Sequence, residues 1–293
     1  FSLEQIKSVT VGALDISEEN GTFRFAKCTQ KQIDVCYRLR TVLGDRAKTT
    51  TGIRLDFHTN SKTFAFEAET KGKYEIYIDN VLTYYYREDD FNCGMRKEIL
   101  LDGTEHRITL YLPAHTEGIL RYVEIDDSAT LAPHKFDCKI LFLGDSITQG
   151  WDSTWDSLSY AQNVSRFFDA ESIIQGIGGS TFYEDSFDSE MEFEPDIVVV
   201  AYGTNDWNAY PSLAEGREHC AKFLDKVIAR YGNKKLFGIS PLWRADQVTD
   251  TSMGSFTACT DYVKEEILSH NMILIEDDTL TPHLSDFYVE GCL

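Results

Sequence analysis

No apolar run in this chain approaches the roughly 18 residues that a membrane-crossing helix needs. Basic residues are scarce: 28 Lys and Arg stand against 48 Asp and Glu, a formal net charge of −20. A surface of that sign repels phosphate backbones and anionic lipid, so neither nucleic acid nor membrane is an expected partner. The opening "FSLEQIKSVTVG" has no basic region followed by an apolar one, so it does not read as a signal peptide. It also lacks Met, so the sequence reads as a trimmed or processed piece, and a removed leader would make the protein secreted. Paired C-x-x-C cysteines are missing too. The seven cysteines (28, 36, 93, 138, 220, 259 and 292) are odd in number and scattered, the pattern of buried free thiols in a reducing compartment. The expected location is cytoplasmic. No His/Cys/carboxylate cluster has ligand spacing, so neither metal nor organic cofactor is expected.

What is present divides into two halves. Residues 1–133 read as β: "TFAFEAE" (63–69) alternates apolar and polar residues, and "YEIYIDNVLTYYY" (74–86) gives two strands around Asp79-Asn80, a tight-hairpin signal. "HRITLYLP" (106–113) and "GILRYVEID" (118–126) continue the alternation, with no convincing helix between them, which predicts a jelly-roll-like β-sandwich. "SATLAPHKFD" (128–137) reads as the linker. From 138 to 293 strand and helix patterns alternate. Near-continuous apolar runs at 139–144, 171–177, 196–203, 235–241 and 273–277 are separated by helical patterns at about 158–170, 212–232 and 254–270. Serial βα units predict a flavodoxin-like doubly wound parallel sheet, in which ligands bind beyond the carboxyl ends of the strands.

The strand ends carry chemistry. "KILFLGDSITQGWDS" (139–153) runs from apolar residues straight into Gly144-Asp145-Ser146; the next ends meet "GIGGST" (176–181), "YGTNDW" (202–207) and "SPLWR" (240–244). Ser146 falls where a strand turns into a helix, which exposes its hydroxyl near a helix N-terminus. The N–H groups of Ser146 and Gly179 and the side-chain amide of Asn205 can converge on one point, as a tetrahedral oxyanion requires. Each piece alone has a bland reading: a turn for the glycines, a helix cap for Asn205-Asp206 or for Ser146. Their order and placement together point to acyl transfer.

These blocks resemble the SGNH, or GDSL-type, hydrolases. Gly144-Asp145-Ser146-Ile147 matches the first block, which implies Ser146 as nucleophile. "GIGGST" matches the second, which implies Gly179 as an oxyanion donor. Gly203-Thr204-Asn205-Asp206 matches the third, G-x-N-D, and implies Asn205 as the side-chain donor. The resemblance covers about 138–293. A β-sandwich ahead of such a domain is also similar in architecture to carbohydrate esterases of family 2, which deacetylate polysaccharides.

The family's last block, D-x-x-H-P, supplies the histidine base. His283, in "LTPHLSDF", departs from it, with Leu280 and Leu284 where Asp and Pro belong. "DFYVEGCL" (286–293) looks more like the run-in to that block, which places the expected histidine just past Leu293 and leaves His283 as the alternative. Gly291 would stand where the family's Asp does, so a dyad oriented by a backbone carbonyl is the expected form. His58, His106, His115, His134, His219 and His270 read as surface or packing residues. Asp145 and Asp206 read as loop supports. Trp207 and Trp243 follow strand ends and are candidates to wall the substrate pocket, core packing being the other reading; Trp151 and Trp155, in the loop after Ser146, share that ambiguity. The run Tyr84-Tyr85-Tyr86 reads as edge-strand packing or a glycan platform. The expected activity is a serine esterase cleaving short acyl groups, acetyl on carbohydrate foremost. A lipase or thioesterase for longer chains and an inactive carbohydrate-binding protein are the alternatives.

Overall fold

The turn at Asp79-Asn80 sets the pattern of the N-terminal half. Both residues take the left-handed conformation (φ 51° and 67°), which joins Tyr74–Ile78 to Val81–Tyr86 through a two-residue loop whose twist suits a hairpin. The computed structural model describes residues 1–87, 95–245 and 249–284. One antiparallel sheet runs Thr10–Val11, Arg54–Thr59, His106–Tyr111, Tyr74–Ile78 and Val81–Tyr86, with Ala132–Pro133 paired to Arg54–Thr59. A second antiparallel sheet runs Asp15–Glu19, Thr22–Ala26, Leu120–Ile125, Thr63–Ala68 and Met95–Leu100. Phe57, Phe64, Phe66, Tyr74, Leu110 and Val123 fill the space between them and are fully buried. Tyr84 and Tyr85 stay exposed on the edge strand, while Tyr86 packs against this core.

The expectation of a helix-free first half is corrected by three helices: Leu3–Val9, Gln30–Leu39 and Thr41–Ala47. Two begin in capping boxes, Ser2 with Gln5 and Thr29 with Gln32, where side chain and backbone satisfy each other's free N–H groups. Those S/T-x-x-Q signatures were legible, but the strand alternation around them dominated the reading.

The second half is a parallel sheet in the order Ala170–Gly176, Cys138–Gly144, Ile197–Ala201, Lys235–Ile239, Ile273–Ile275. This is the flavodoxin-like order, the first strand lying second. Strands are shorter at their carboxyl ends than the apolar runs suggested: the third stops at Ala201, the fourth at Ile239 and the fifth at Ile275. Leu213–Tyr231 and Phe256–Ser269 cover one face, packing Phe223, Val227, Val263 and Ile267 onto Leu141, Val198 and Val200. Tyr160–Phe167 covers part of the other. Among the described residues, the remainder of that face borders an apolar cavity of about 600 Å³ lined by Ile140, Phe142, Ile197, Val199, Phe237 and Ile239 among others. Cys28, Cys36, Cys220 and Cys259 are buried free thiols and Cys138 is a partly exposed one; Cys93 and Cys292 lie outside the described residues.

Polar contacts join the halves closely. Arg54 donates to the Ala170 carbonyl at 2.9 Å, Arg107 pairs with Asp169 at 2.9 Å, and Tyr77 and Ser157 share a hydrogen bond of 2.8 Å.

Candidate active site

Three strands end level with one another: Gly144 is in register with Gly176 on one side and Ala201 on the other. The segments that follow therefore meet on one rim. Gly144 is needed for that closeness, since a Cβ there would lie 2.7 Å from the Ala201 carbonyl oxygen and 2.0 Å from Thr148 Oγ1. Asp145 turns the chain into the short helix Ser146–Gln149, its carboxylate accepting the Ile147 N–H at 2.9 Å. Gly150, left-handed at φ 88°, ends that helix. Ser146 is thus held half-exposed at a helix start. Among the described residues its hydroxyl and its backbone N–H have no hydrogen-bond partner.

The 176–181 loop is fixed peptide by peptide. Ile177 N–H donates to the Gly144 carbonyl at 3.0 Å, and Ser180 N–H to that of Ile177 at 3.0 Å. Gly178 N–H donates to Gln149 Oε1 at 2.7 Å. The carbonyls of Gly176, Gly178 and Gly179 accept from Lys27, Arg46 and Arg40 at 3.0, 2.7 and 2.7 Å. The N–H of Gly179, a residue with φ of 81°, has no partner among the described residues, and neither has that of Thr181.

Asn205 donates to the Ser180 carbonyl at 2.9 Å and lies 3.4 Å from Asp145 Oδ2, so its amide group sits between the first and second rim segments. Asp206 is buried beneath it and accepts the Phe182 N–H at 3.0 Å. Burial pushes the Asp145 carboxyl up to about 7 and the Asp206 carboxyl up to about 8, with the Asp145 charge adding to the latter.

These shifts set a pH dependence. The unfolded carboxyls titrate near 3.8, so between that pH and about 8 the folded state holds more protons than the unfolded one. Stability contributed by these groups is therefore present in mild acid and lost as pH rises. His106, whose pKa is raised by Asp79 and Asp102, acts in the same direction, and His115, lowered by burial, acts against it. The melting temperature is expected to fall by several degrees between about pH 5 and about pH 8.5. Asp206→Asn, which keeps the acceptor for Phe182, should flatten that slope; an unchanged slope in a pH series of thermal melts would contradict it.

His283 is exposed, and its Nε2 lies 2.8 Å from Asp277 Oδ2. Its ring stacks on Trp243 at 5.6 Å and 10°. Asp277 also bonds Ser240 at 3.1 Å and pairs with Lys264 at 3.3 Å; the hydrogen bond from His283 and the nearby Lys264 hold its pKa low despite burial. Ser146, Gly179 and Asn205 are gathered on one rim, whereas His283 is engaged with Asp277 and Trp243. Residues 286–293 lie outside the described residues. Trp207 is packed in the core against Phe256, its Nε1 donating to the Gly254 carbonyl at 3.0 Å. Trp151, which follows the helix Ser146–Gln149, is exposed, and Trp155 is half-buried. Trp151 meets His115 edge-on at 4.9 Å under the Arg46 guanidinium, and Trp155 packs on Tyr85 at 4.5 Å.

Lys27, Arg40, Arg46, Gln149 and Asp277 were not singled out in the sequence as site residues. A signal existed for the first three: residues 27–48 carry six basic and two acidic side chains in an otherwise strongly acidic chain.

A parallel sheet with a serine, a glycine loop and an Asn on its carboxyl rim defines the SGNH class of α/β fold. Residues 142–265 match the GDSL-like Lipase/Acylhydrolase family, and this part of the chain is a domain of that type. No curated protein matches the sequence. Among solved structures, the chain is similar to a salicylyl-acyltransferase from a tetracycline biosynthetic pathway, with a TM-score of 0.81 and 14% identity over 96% of this chain and 86% of that one. A putative GDSL-like lipase from Bacteroides ovatus aligns at a TM-score of 0.71 and 17% identity, over 98% and 90% of the two chains. A family two carbohydrate esterase from Cellvibrio japonicus aligns at 0.63 and 15% identity, over 93% and 87%. These likenesses establish the fold, including the β-rich half ahead of the hydrolase domain.

Proposed function

We propose that the protein is a serine esterase that removes short acyl groups, acetyl foremost, from carbohydrate. Ser146 Oγ attacks the ester carbonyl carbon. The carbonyl oxygen takes up negative charge and is held by the N–H groups of Ser146 and Gly179 and by the Asn205 amide. The alcohol then leaves with a proton, and water cleaves the acyl-serine to release the acid. One observation carries the reading: the N–H groups of Ser146 and Gly179 and the Ser146 hydroxyl all lack a hydrogen-bond partner among the described residues, on segments that leave two paired strands in register at Gly144 and Gly176. A buried or half-buried N–H without a partner is costly and is expected where a ligand atom completes it. Trp151, exposed and donating its backbone N–H to the Ser146 carbonyl, supports a sugar-sized alcohol, because a flat exposed ring close to the serine suits the apolar face of a sugar. The family two esterase fold with the same β-rich half points the same way. This reading gives Trp207 a packing role and leaves Trp243 at the rim, lying on His283. No metal enters the proposed chemistry.

A second reading, hydrolysis of longer acyl chains, is favoured by the apolar cavity, whose lining reaches Asp145 and Ile147 on either side of the nucleophile. Ser146 itself is not part of that lining. The p-nitrophenyl esters of acetate and octanoate separate the two: kcat/KM is expected to be higher for acetate, and a preference for octanoate overturns the short-chain assignment.

A further inference from the structure

The peptide linking Gly178 to Gly179 has two polar ends. Its N–H is the Gly179 donor of the proposed oxyanion hole, and its carbonyl, on Gly178, accepts from Arg46 Nη1 at 2.7 Å. The following carbonyl, on Gly179, accepts from Arg40 Nη2 at 2.7 Å. Both arginines come from the N-terminal half, on the helical pair Gln30–Leu39 and Thr41–Ala47: Arg40 between the helices, Arg46 in the last turn of the second. That pair is seated on the loop by Ile33, Cys36, Leu43 and Ala47, which cluster with Ile177. An ideal Cβ at Gly179 would lie 3.1 Å from Arg46 Nη1 and 3.2 Å from Arg40 Nη2, so the guanidinium groups lie against the face where a side chain would stand. Arg46 also lies 4.7 Å from the centre of the Trp151 ring, and Trp151 N–H donates to the Ser146 carbonyl at 2.9 Å. Among the described residues neither arginine is paired with a carboxylate, in a chain with 48 of them.

We infer that Arg46, assisted by Arg40, is a positioning residue for ester hydrolysis, holding and polarising the Gly178–Gly179 peptide so that its N–H is a preorganised donor to the oxyanion. This rests on the reading of Ser146 and Gly179 given above. A hydrogen bond to a peptide carbonyl draws electron density from the N–H at its other end, and an unneutralised guanidinium does so more strongly than a neutral donor. It also keeps the peptide from flipping, which would turn a carbonyl toward the developing negative charge. The interaction matters most when that charge forms, so it belongs to kcat rather than to KM.

The test compares Arg46→Met, Arg46→Lys and Val123→Ala, a change in the sandwich core, with the parent full chain, using p-nitrophenyl acetate turnover, phenylboronic acid affinity as a tetrahedral mimic, and thermal melts. Ser146→Ala is measured alongside. Arg46→Met is expected to lower kcat on the order of 10-fold to 100-fold with KM within about threefold, and to weaken the boronate in parallel. Arg46→Lys should recover part of the loss, and Val123→Ala should lower the melting temperature with little change in kcat. The Gly179 amide proton should move upfield in Arg46→Met, a readout that needs no turnover. Parent-like kcat, boronate affinity and Gly179 shift in Arg46→Met overturn the inference. Should that variant not fold, a folded Arg46→Gln, which removes the charge, with parent-like kcat and Gly179 shift does the same. If Ser146→Ala keeps full activity, the nucleophile assignment falls and takes this inference with it; if it abolishes activity while Arg46 proves neutral, only the positioning role falls.

Discussion

Ser146→Ala is expected to cut p-nitrophenyl acetate hydrolysis on the order of 1,000-fold or more in kcat, without a matching change in stability. The hydroxyl makes no hydrogen bond among the described residues, so its removal leaves no buried partner unpaired. Alanine is a good helix former, and the cap supplied by Asp145 to Ile147 N–H stays in place. The thermal melt should therefore overlay that of the parent while turnover collapses. His283→Ala, in the same assay, is expected to keep activity within several-fold, since its Nε2 is bound to Asp277 and its ring lies on Trp243 rather than on the serine. A loss as deep as that of Ser146→Ala would make His283 the proton acceptor. Retained hydrolysis in Ser146→Ala would remove the serine from the chemistry.

Asn205→Ala is the second large effect, on the order of 100-fold to 1,000-fold in kcat with KM nearly unchanged. Asn205 is the side-chain donor that touches both neighbouring rim segments, through the Ser180 carbonyl and Asp145. Its loss removes a donor from the proposed oxyanion hole and leaves the Ser180 carbonyl without that partner, which adds a stability cost of about 1 kcal/mol. Steady-state kinetics and a thermal melt separate these effects. Asn205→Asp should be worse in both, because it sets an acceptor against Asp145 where a donor stood. A variant in which KM rises and kcat holds would place Asn205 in ground-state binding only.

Much of this was legible because strand ends in a parallel sheet announce themselves. Apolar runs meeting "GDS", "GIGGST" and "YGTND" located the rim and, from the order of the blocks, the family of the 142–265 domain. The Asp79-Asn80 turn was readable because only a few residue types take two left-handed conformations in succession. The helical pair at 30–47 was not, since its capping signal sat inside a half dominated by period-two alternation. Nor were Lys27, Arg40 and Arg46: they act on carbonyls about 130 to 150 positions away, and long-range partners of backbone groups leave no local pattern. Asp277 was hidden for a different reason, the apolar run through 273–277 having been read as strand to its end. The roles of Trp207 and Trp243 were undecidable from spacing because a tryptophan after a strand suits a core and a pocket wall equally.

Lys27 has a consequence of its own. Fully buried, it donates to Thr49, Thr51 and the carbonyls of Arg46 and Gly176, spanning the seam between the two halves, and burial pulls its pKa down to about 8. A charge enclosed in this way has no second home: neither half could present it to the other after a period apart without first stripping its water. The two halves of this chain are consequently unsuited to be traded as interchangeable modules. A recombination that grafted a foreign sandwich onto residues 138–293 would inherit Ser146 and lose the hand that holds the loop beside it.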